Sequence, residues 1–353
     1  MRSDSLSIHA GGLVQRLLPF GLQDVEQVRL VLTGDSALDW RQLAYRDMDH
    51  VDQLLRLVGL NPDDPDDFVR LVAVHRRAIA YLEEHFALEL HPAVLNPHDP
   101  RELLLLASRP GPAQSHACMA LKVMHVVHHV AGRELLFRLP VAMNELFHRI
   151  ETRVYDTVDG MKAAGVRIAE LAASRKTADS VLTKLLSRSD SLAAEVYDRL
   201  RFRLVTESLD DAFSALVYLT RHLLPFNYVV PGESRNDLVD LPRVLERDPR
   251  LSGIGALLQA VGRGAASRHR HNLFSGSGFR MINFVADVPV RVDDLVARVP
   301  DHRISNGAVV FLLTEFQVMD VATAASNTLG ENNHEAYKAR QYQRVLERLE
   351  PLP

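Results

Sequence analysis

Apolar residues recur at helical spacing through the first third of the chain. In "DHVDQLLRLVGLNP" (residues 49–62) they form a stripe that ends at Gly-Leu-Asn-Pro, a stop signal. "DPDDFVRLVAVHRRAIAYLEEHFAL" (64–88) opens on acids, which suit a helix N-terminus, and continues as a long amphipathic helix. "LNPHDPRE" (95–102) and "SRPGPAQS" (108–115) read as turns, and "HACMALKVMHVVHHVAG" (116–132) as a helix closed by Gly132. From about residue 135 the texture changes. A helix over 141–165 stops at Gly165, and "VRIAELAAS" (166–174) reads as a strand. "TADSVLTKLLSR" (177–188) is a short helix, "YDRLRFRLV" (197–205) a strand, and "SLDDAFSALVYLTRHLL" (208–224) a helix capped by Ser208. "FNYVV" (226–230) is a candidate strand and residues 231–275 read as irregular. "GFRMINFVADVPVRV" (278–292) and "GAVVFLLTEFQVM" (307–319) are strands, and "NNHEAYKARQYQRVLERLE" (332–350) is a helix. Strands and helices mix without strict alternation, which predicts an α+β fold. We expect a mixed sheet flanked by helices over 133–353, preceded by a helical N-terminal domain over 1–132.

Composition narrows this picture only a little. The chain has 353 residues, 47% hydrophobic and 24% charged, as in ordinary globular proteins. A net charge of -4 argues against a general nucleic-acid coat, so any anion site must be local. The single Cys118 excludes an intrachain disulfide framework and a four-cysteine zinc site. "MRSDSLSIHAGG" lacks the apolar run of an export signal, and the apolar "GAVVFLL" (307–313) is far too short to span a bilayer. A cytoplasmic protein without a membrane role is therefore expected.

Four clusters carry candidate chemistry. Lys176, Ser180 and Lys184 are spaced four apart. A helix starting near Thr177 puts Ser180 and Lys184 on one face, with Lys176 just before its N-terminus. Exposed amides, a hydroxyl and two ammonium groups can cradle phosphate, and the same residues also fit a capped, solvated helix. Asp198 heads the strand "YDRLRFRLV", with Arg203 five residues on. A carboxylate at a strand end can hold Mg²⁺ and an arginine can bind phosphate; a surface salt bridge is the plainer reading. Strict alternation puts the two on opposite faces, so convergence requires Asp198 to precede the regular pleat, or a bulge. Arg199 and Arg201 read as solvated. Glu315 and Gln317 share one face of a strand that is apolar almost throughout. A glutamate there is costly unless it has a partner or a metal, or unless the strand opens to solvent at that point. In "ENNHEAYKARQ", His334 and Lys338 are one turn apart on a helix face.

The order of these clusters is more specific than any one of them. It runs Lys-x-x-x-Ser-x-x-x-Lys, a strand with Asp-x-x-x-x-Arg, Gly278-Phe279, a strand with Glu-x-Gln, and a helix with His-x-x-Tyr-Lys. This resembles the RelA/SpoT synthetase domain, a nucleotidyltransferase fold that makes the alarmone (p)ppGpp. The resemblance covers roughly residues 135–345. It implies Mg²⁺-dependent transfer of pyrophosphate from ATP to the ribose 3′-hydroxyl of GDP or GTP. Carried over, Asp198 and Glu315 would hold Mg²⁺, with Glu315 also helping to remove the hydroxyl proton. Lys176, Ser180, Lys184, Arg203, His334 and Lys338 would bind phosphates. Phe279 would stack on the acceptor base, with Gln317 on the acceptor side as well. Such chemistry depends mainly on positioning and charge neutralisation, which these residue types provide.

The departures lie mostly on the acceptor side. Where the family has Arg-x-Lys the chain has Ser174-Arg175-Lys176, so the first arginine is missing unless Arg175 replaces it. Where the family has Gly-Tyr-x-Ser-x-His the chain reads Gly278-Phe279-Arg280-Met281-Ile282-Asn283. The Arg-Thr that often follows Glu-x-Gln is replaced by Met319-Asp320 after Val318. Two alternatives therefore stand beside guanine-nucleotide synthesis. One is a different acceptor, another nucleotide or an RNA 3′ end, with the basic "RGAASRHRH" (263–271) touching extra phosphates. The other is a catalytically inactive nucleotide-binding regulator. His125, His128 and His129 share a predicted helix, and packing at a helix interface is the expected role, ahead of a metal site. His98-Asp99 sits between prolines in a turn, so the helical His-Asp pair of the family's alarmone hydrolases is not expected.

Overall fold

The structure, a computed structural model, describes residues 17, 20–35, 38–40, 43–86, 88–187, 200–225, 228–247, 278–297, 308–329 and 334–349. Seven helices precede the first described strand: Leu22–Thr33 (α1), Met48–Leu57 (α2), Pro65–Phe86 (α3), Pro92–Leu95 (α4), Glu102–Ser108 (α5), Gln114–Arg138 (α6) and Met143–Ala163 (α7). Ile168–Arg175 (β1), Ala178–Ser187 (α8), Leu200–Thr206 (β2), Leu209–His222 (α9), Arg235–Asn236 (β3) and Leu241–Arg247 (α10) follow. Ile282–Arg291 (β4), Asp293–Val296 (α11), Val309–Asp320 (β5), Val321–Asn327 (α12) and His334–Leu349 (α13) come after them. The fold is α+β. Among the described residues the sheet has the order β1-β2-β5-β4-β3. β2 and β5 run parallel, and the other neighbours are antiparallel.

Local chemistry sets several element ends. Ser208 caps α9 by accepting from the Asp211 amide. Gly165 follows α7 at φ 95°, a left-handed position that suits glycine and turns the chain into β1. Two expectations change. α6 does not stop at Gly132 but runs on to Arg138. Gly132 serves packing instead: a Cβ there would lie 2.4 Å from the Phe311 ring of β5. Within 231–275, β3 and α10 are regular, while residues 248–277 lie outside the described residues. In "FNYVV" Val229 forms only an isolated bridge, to Ala286.

The two faces of the sheet differ. Register places Phe202, Phe316 and Phe284 side by side on β2, β5 and β4. Their rings stack at centroid distances of 5.7 and 5.3 Å. This face also carries Leu200, Leu204, Val318, Ile282 and Ala286, all buried. It shares one hydrophobic core with Ile150 and Val154 of α7, Phe213 and Leu216 of α9, and Val25 and Val28 of α1. Burying each large apolar side chain there contributes about 1.5–3 kcal/mol. A second core joins the apolar residues of α2, α3, α5 and α6, with Leu30 of α1 among them. The opposite face of the sheet carries the polar residues.

Candidate functional site

Because side chains alternate along a strand, partners in register share a face. Two polar rungs result. One reads Ser174 (β1), Arg201 (β2), Glu315 (β5), Val285 (β4). The next reads Ala172, Arg203, Gln317, Asn283 and Arg235, the last on β3. Glu315 is buried, 7% exposed, and it is not isolated. Arg201 Nε donates to its Oε2 at 2.8 Å, and Gln317 Nε2 donates to its Oε1 at 3.1 Å. Arg201 is therefore the answer to the cost of a glutamate in an apolar strand, and the reading of Arg201 as merely solvated is corrected. The ladder between β2 and β5 makes this contact across 114 positions of sequence.

The second rung carries two guanidinium groups, Arg203 and Arg235, either side of the Gln317 and Asn283 amides. Arg235 is held by Asp237 at 2.6 Å and donates to the Phe279 carbonyl at 2.7 Å. Two atoms of this rung, Arg203 Nε and Asn283 Oδ1, are buried and have no hydrogen-bond partner among the described residues. Buried polar atoms are normally satisfied, so an unpaired donor and acceptor beside one amide mark a place suited to a polar ligand. Sequence reasoning passed over Arg201, Asn283 and Arg235. Arg201 shares the parity of Arg203, and Asn283 interrupts an apolar strand, so both left a signal. Arg235 sits on a two-residue strand and left none.

The remaining sequence candidates fall around these rungs. Lys176 directly follows β1, whose last residue, Arg175, pairs with Leu200 at the start of β2. Thr177 caps α8, its Oγ1 accepting from the Ser180 amide at 3.3 Å and donating to Ser180 Oγ at 3.1 Å. Lys184 lies on α8 and His334 opens α13, but their side chains lie outside the described part. Lys338 is exposed on α13, which packs along α8. Phe279 precedes β4 at the other end of the polar face. Its neighbour Arg280 is pinned by Asn327, which accepts from the Arg280 amide at 3.0 Å and donates to its carbonyl at 2.7 Å. Asp198, Arg199 and the basic segment 263–271 lie outside the described residues. Arg175, the candidate substitute for the missing arginine, is engaged by α7. It binds Glu151 of α7 through both Nε and Nη2, at 2.8 and 2.7 Å, and lies over the Phe147 ring.

Mg²⁺ takes oxygen ligands and is commonly held by one or two carboxylates together with substrate phosphates. Glu315 fits that habit, since each of its oxygens accepts one hydrogen bond and keeps further lone pairs. Among the described residues no cluster of three or more His, Cys, Asp or Glu side chains could hold a metal by itself. Three histidines of α6 pack against aromatic rings. His128 and His129 meet Phe311 edge-on at 5.3 and 5.0 Å, and His125 meets Tyr228 at 4.6 Å. His129 Nε2 also pairs with Asp287 of β4 at 2.7 Å, and Arg133 reaches both oxygens of that carboxylate. Burial pushes His125 down to about 3 and His128 down to about 4, with neighbouring imidazoles adding to the effect.

No family model matches the chain, and no curated protein matches it. Among solved structures the chain is similar to small alarmone synthetase 1 from Bacillus subtilis bound to its product pppGpp. Identity is 13% over 58% of this chain and 86% of that one, with a TM-score of 0.32. It is also similar to small alarmone synthetase 2 from Bacillus subtilis, at 12% identity over 58% and 95% of the two chains and a TM-score of 0.29. A GTP pyrophosphokinase family protein from Streptococcus pneumoniae follows at 13% identity, 58% and 87% coverage and a TM-score of 0.28. A likeness at this level carries no residue role over to this chain. No described helix is long and apolar enough to cross a membrane.

Proposed function

We propose that the polar face of the sheet binds ATP and transfers its pyrophosphate to a nucleotide hydroxyl, as a (p)ppGpp-synthetase-like enzyme acting in the cytoplasm. The observation that carries this reading is the buried Glu315, braced by Arg201, one rung from Arg203 with its unpaired Nε. In such a transfer the acceptor oxygen bonds to the β-phosphorus of ATP. The bridge between the α- and β-phosphates breaks, AMP leaves with the bridging oxygen, and the acceptor hydroxyl releases a proton. Arg203 would bind the transferring phosphates, where charge-assisted hydrogen bonds are strongest. Glu315 would accept the hydroxyl proton, held in place by Arg201 and Gln317. Mg²⁺, when bound by Glu315 and Asp198, would neutralise phosphate charge. Lys176, Ser180, Lys184, His334 and Lys338 would add phosphate contacts from the α8 and α13 side, and Phe279 would stack on the acceptor base.

One observation favours an acceptor other than a guanine nucleotide. Asn283, where the resembled family has histidine, lies on the same rung as Gln317, and Ser174 takes the place of an arginine on the first rung. Asn283 and Ser174 thus depart from the resembled pattern on this face, while Glu315 and Arg203 are kept. The test is label transfer from γ-labelled ATP in magnesium, with GDP, GTP, other nucleotides and bulk RNA offered separately and Asp198→Ala as control. Label on GDP or GTP that vanishes in the variant supports alarmone synthesis. Label on another acceptor keeps the transfer and changes the substrate. Folded protein that transfers to none of them removes the reading.

A further inference from the structure

A second feature lies at the far end of β4, away from Phe279. Pro289, Val290 and Arg291 close one side of a pocket of about 430 Å³. Its other walls are Arg56 of α2, Gly59, Leu60 and Asn61 of the following turn, and Arg149 and Arg153 of α7. Four arginines are among its lining residues, and among the described residues no Asp or Glu lines it. The acids stand behind. Asp294 and Glu145 hold Arg149, and Asp64, Asp67 and Asp293 hold Arg291. Among the described residues Arg56 pairs with the exposed Asp63, at 3.2 Å.

Arg153 is different. Its hydrogen bonds go to backbone carbonyls, Nη1 to Pro289 at 2.5 Å and Nη2 to Leu57 at 3.3 Å. A guanidinium has five N–H donors, so most of its capacity is left over. Burial also pushes Arg153 below the ordinary arginine range, as expected for a cation held by dipoles alone. An arginine that pairs with no carboxylate among the described residues, in a pocket lined by three more arginines, is suited to a planar or tetrahedral oxyanion.

We infer that this pocket is an oxyanion site for an inorganic or nucleotide-borne phosphate chain, separate from the polar face of the sheet. Arg153 anchors the anion, Arg56 closes over it from α2, and Leu60, Pro289 and Val290 supply an apolar wall. A ligand there bridges α2, α7 and β4, tying the helical region to the sheet.

Equilibrium dialysis with labelled pyrophosphate at fixed ionic strength tests this directly. The full chain, Arg153→Gln, Arg56→Ala and Arg203→Gln are compared. Arg153→Gln and Arg56→Ala are expected to weaken one class of pyrophosphate site about tenfold or more while sparing the sites that Arg203→Gln affects. Arg56 is exposed, so its variant keeps the test valid even if Arg153→Gln fails to fold. Unchanged binding in Arg56→Ala and in folded Arg153→Gln would overturn the inference. So would loss of all pyrophosphate binding in Arg203→Gln, since that would place every site on the sheet face.

Discussion

At the scale of single residues, Glu315 matters most. Its oxygens are held by Arg201 and Gln317, so Glu315→Ala removes two charge-assisted hydrogen bonds from a buried position. We predict a loss of about 1–3 kcal/mol, measured by urea unfolding, and a smaller loss for Glu315→Gln, which keeps one acceptor. His125 and His128 give a prediction of a different kind. Their folded values, about 3 and about 4, lie below the unfolded value near 6.5, so the unfolded chain takes up protons first as pH falls. Their contribution to stability is complete above about pH 6.5 and is lost between there and about pH 4 for His128 and about pH 3 for His125. The slope is up to about 1.4 kcal/mol per pH unit for each ring. His128→Leu should flatten that slope in denaturant titrations from pH 7 to pH 4. A slope equal to that of the unmodified protein would mean that His128 titrates normally in the fold.

Between elements, the contact of α6 with β5 depends on Gly132. Gly132→Ala would push a methyl group into Phe311 and close to the Val309 carbonyl, at 2.4 and 2.9 Å. Overpacking of this kind costs about 1–3 kcal/mol, and a lowered thermal midpoint would register it. Removing the middle ring of the phenylalanine stack, with Phe316→Ala, should cost about 3–5 kcal/mol. These two elements also show what could be read from sequence. β4 and β5 were legible because runs of Val, Phe and Leu are too long and too apolar for a surface strand. Which strands pair is a non-local fact, and it decides that Arg201 faces Glu315. Period-two alternation gives Arg201 its parity and says nothing of its partner. Gly132 was misread for a similar reason. A glycine after an apolar helical stretch is usually a stop, and only the ring of Phe311, distant in sequence, makes it a packing residue. The same limit hid Arg175, whose partner Glu151 lies on α7.

Seen whole, the molecule sets an apolar sheet face against α1, α7 and α9 and gathers polar side chains on the other face. α6 lies against the end of that polar face, where Arg133 and His129 meet Asp287 two residues along β4 from Val285 on the Glu315 rung. The arginine pocket lies farther along the same strand. In this arrangement the helical region borders the sheet that would hold the nucleotide, through the apolar packing of Gly132 on Phe311 as well as through the charged groups around Asp287. The central claim is that the two polar rungs bind the triphosphate of ATP. It is tested most directly by the affinity for a non-hydrolysable ATP analogue in magnesium, measured by calorimetry for the unmodified chain, Glu315→Gln and Arg203→Gln. We predict that each variant, still folded, binds about tenfold or more weakly. Affinity unchanged in both would contradict the assignment of the nucleotide site to this face.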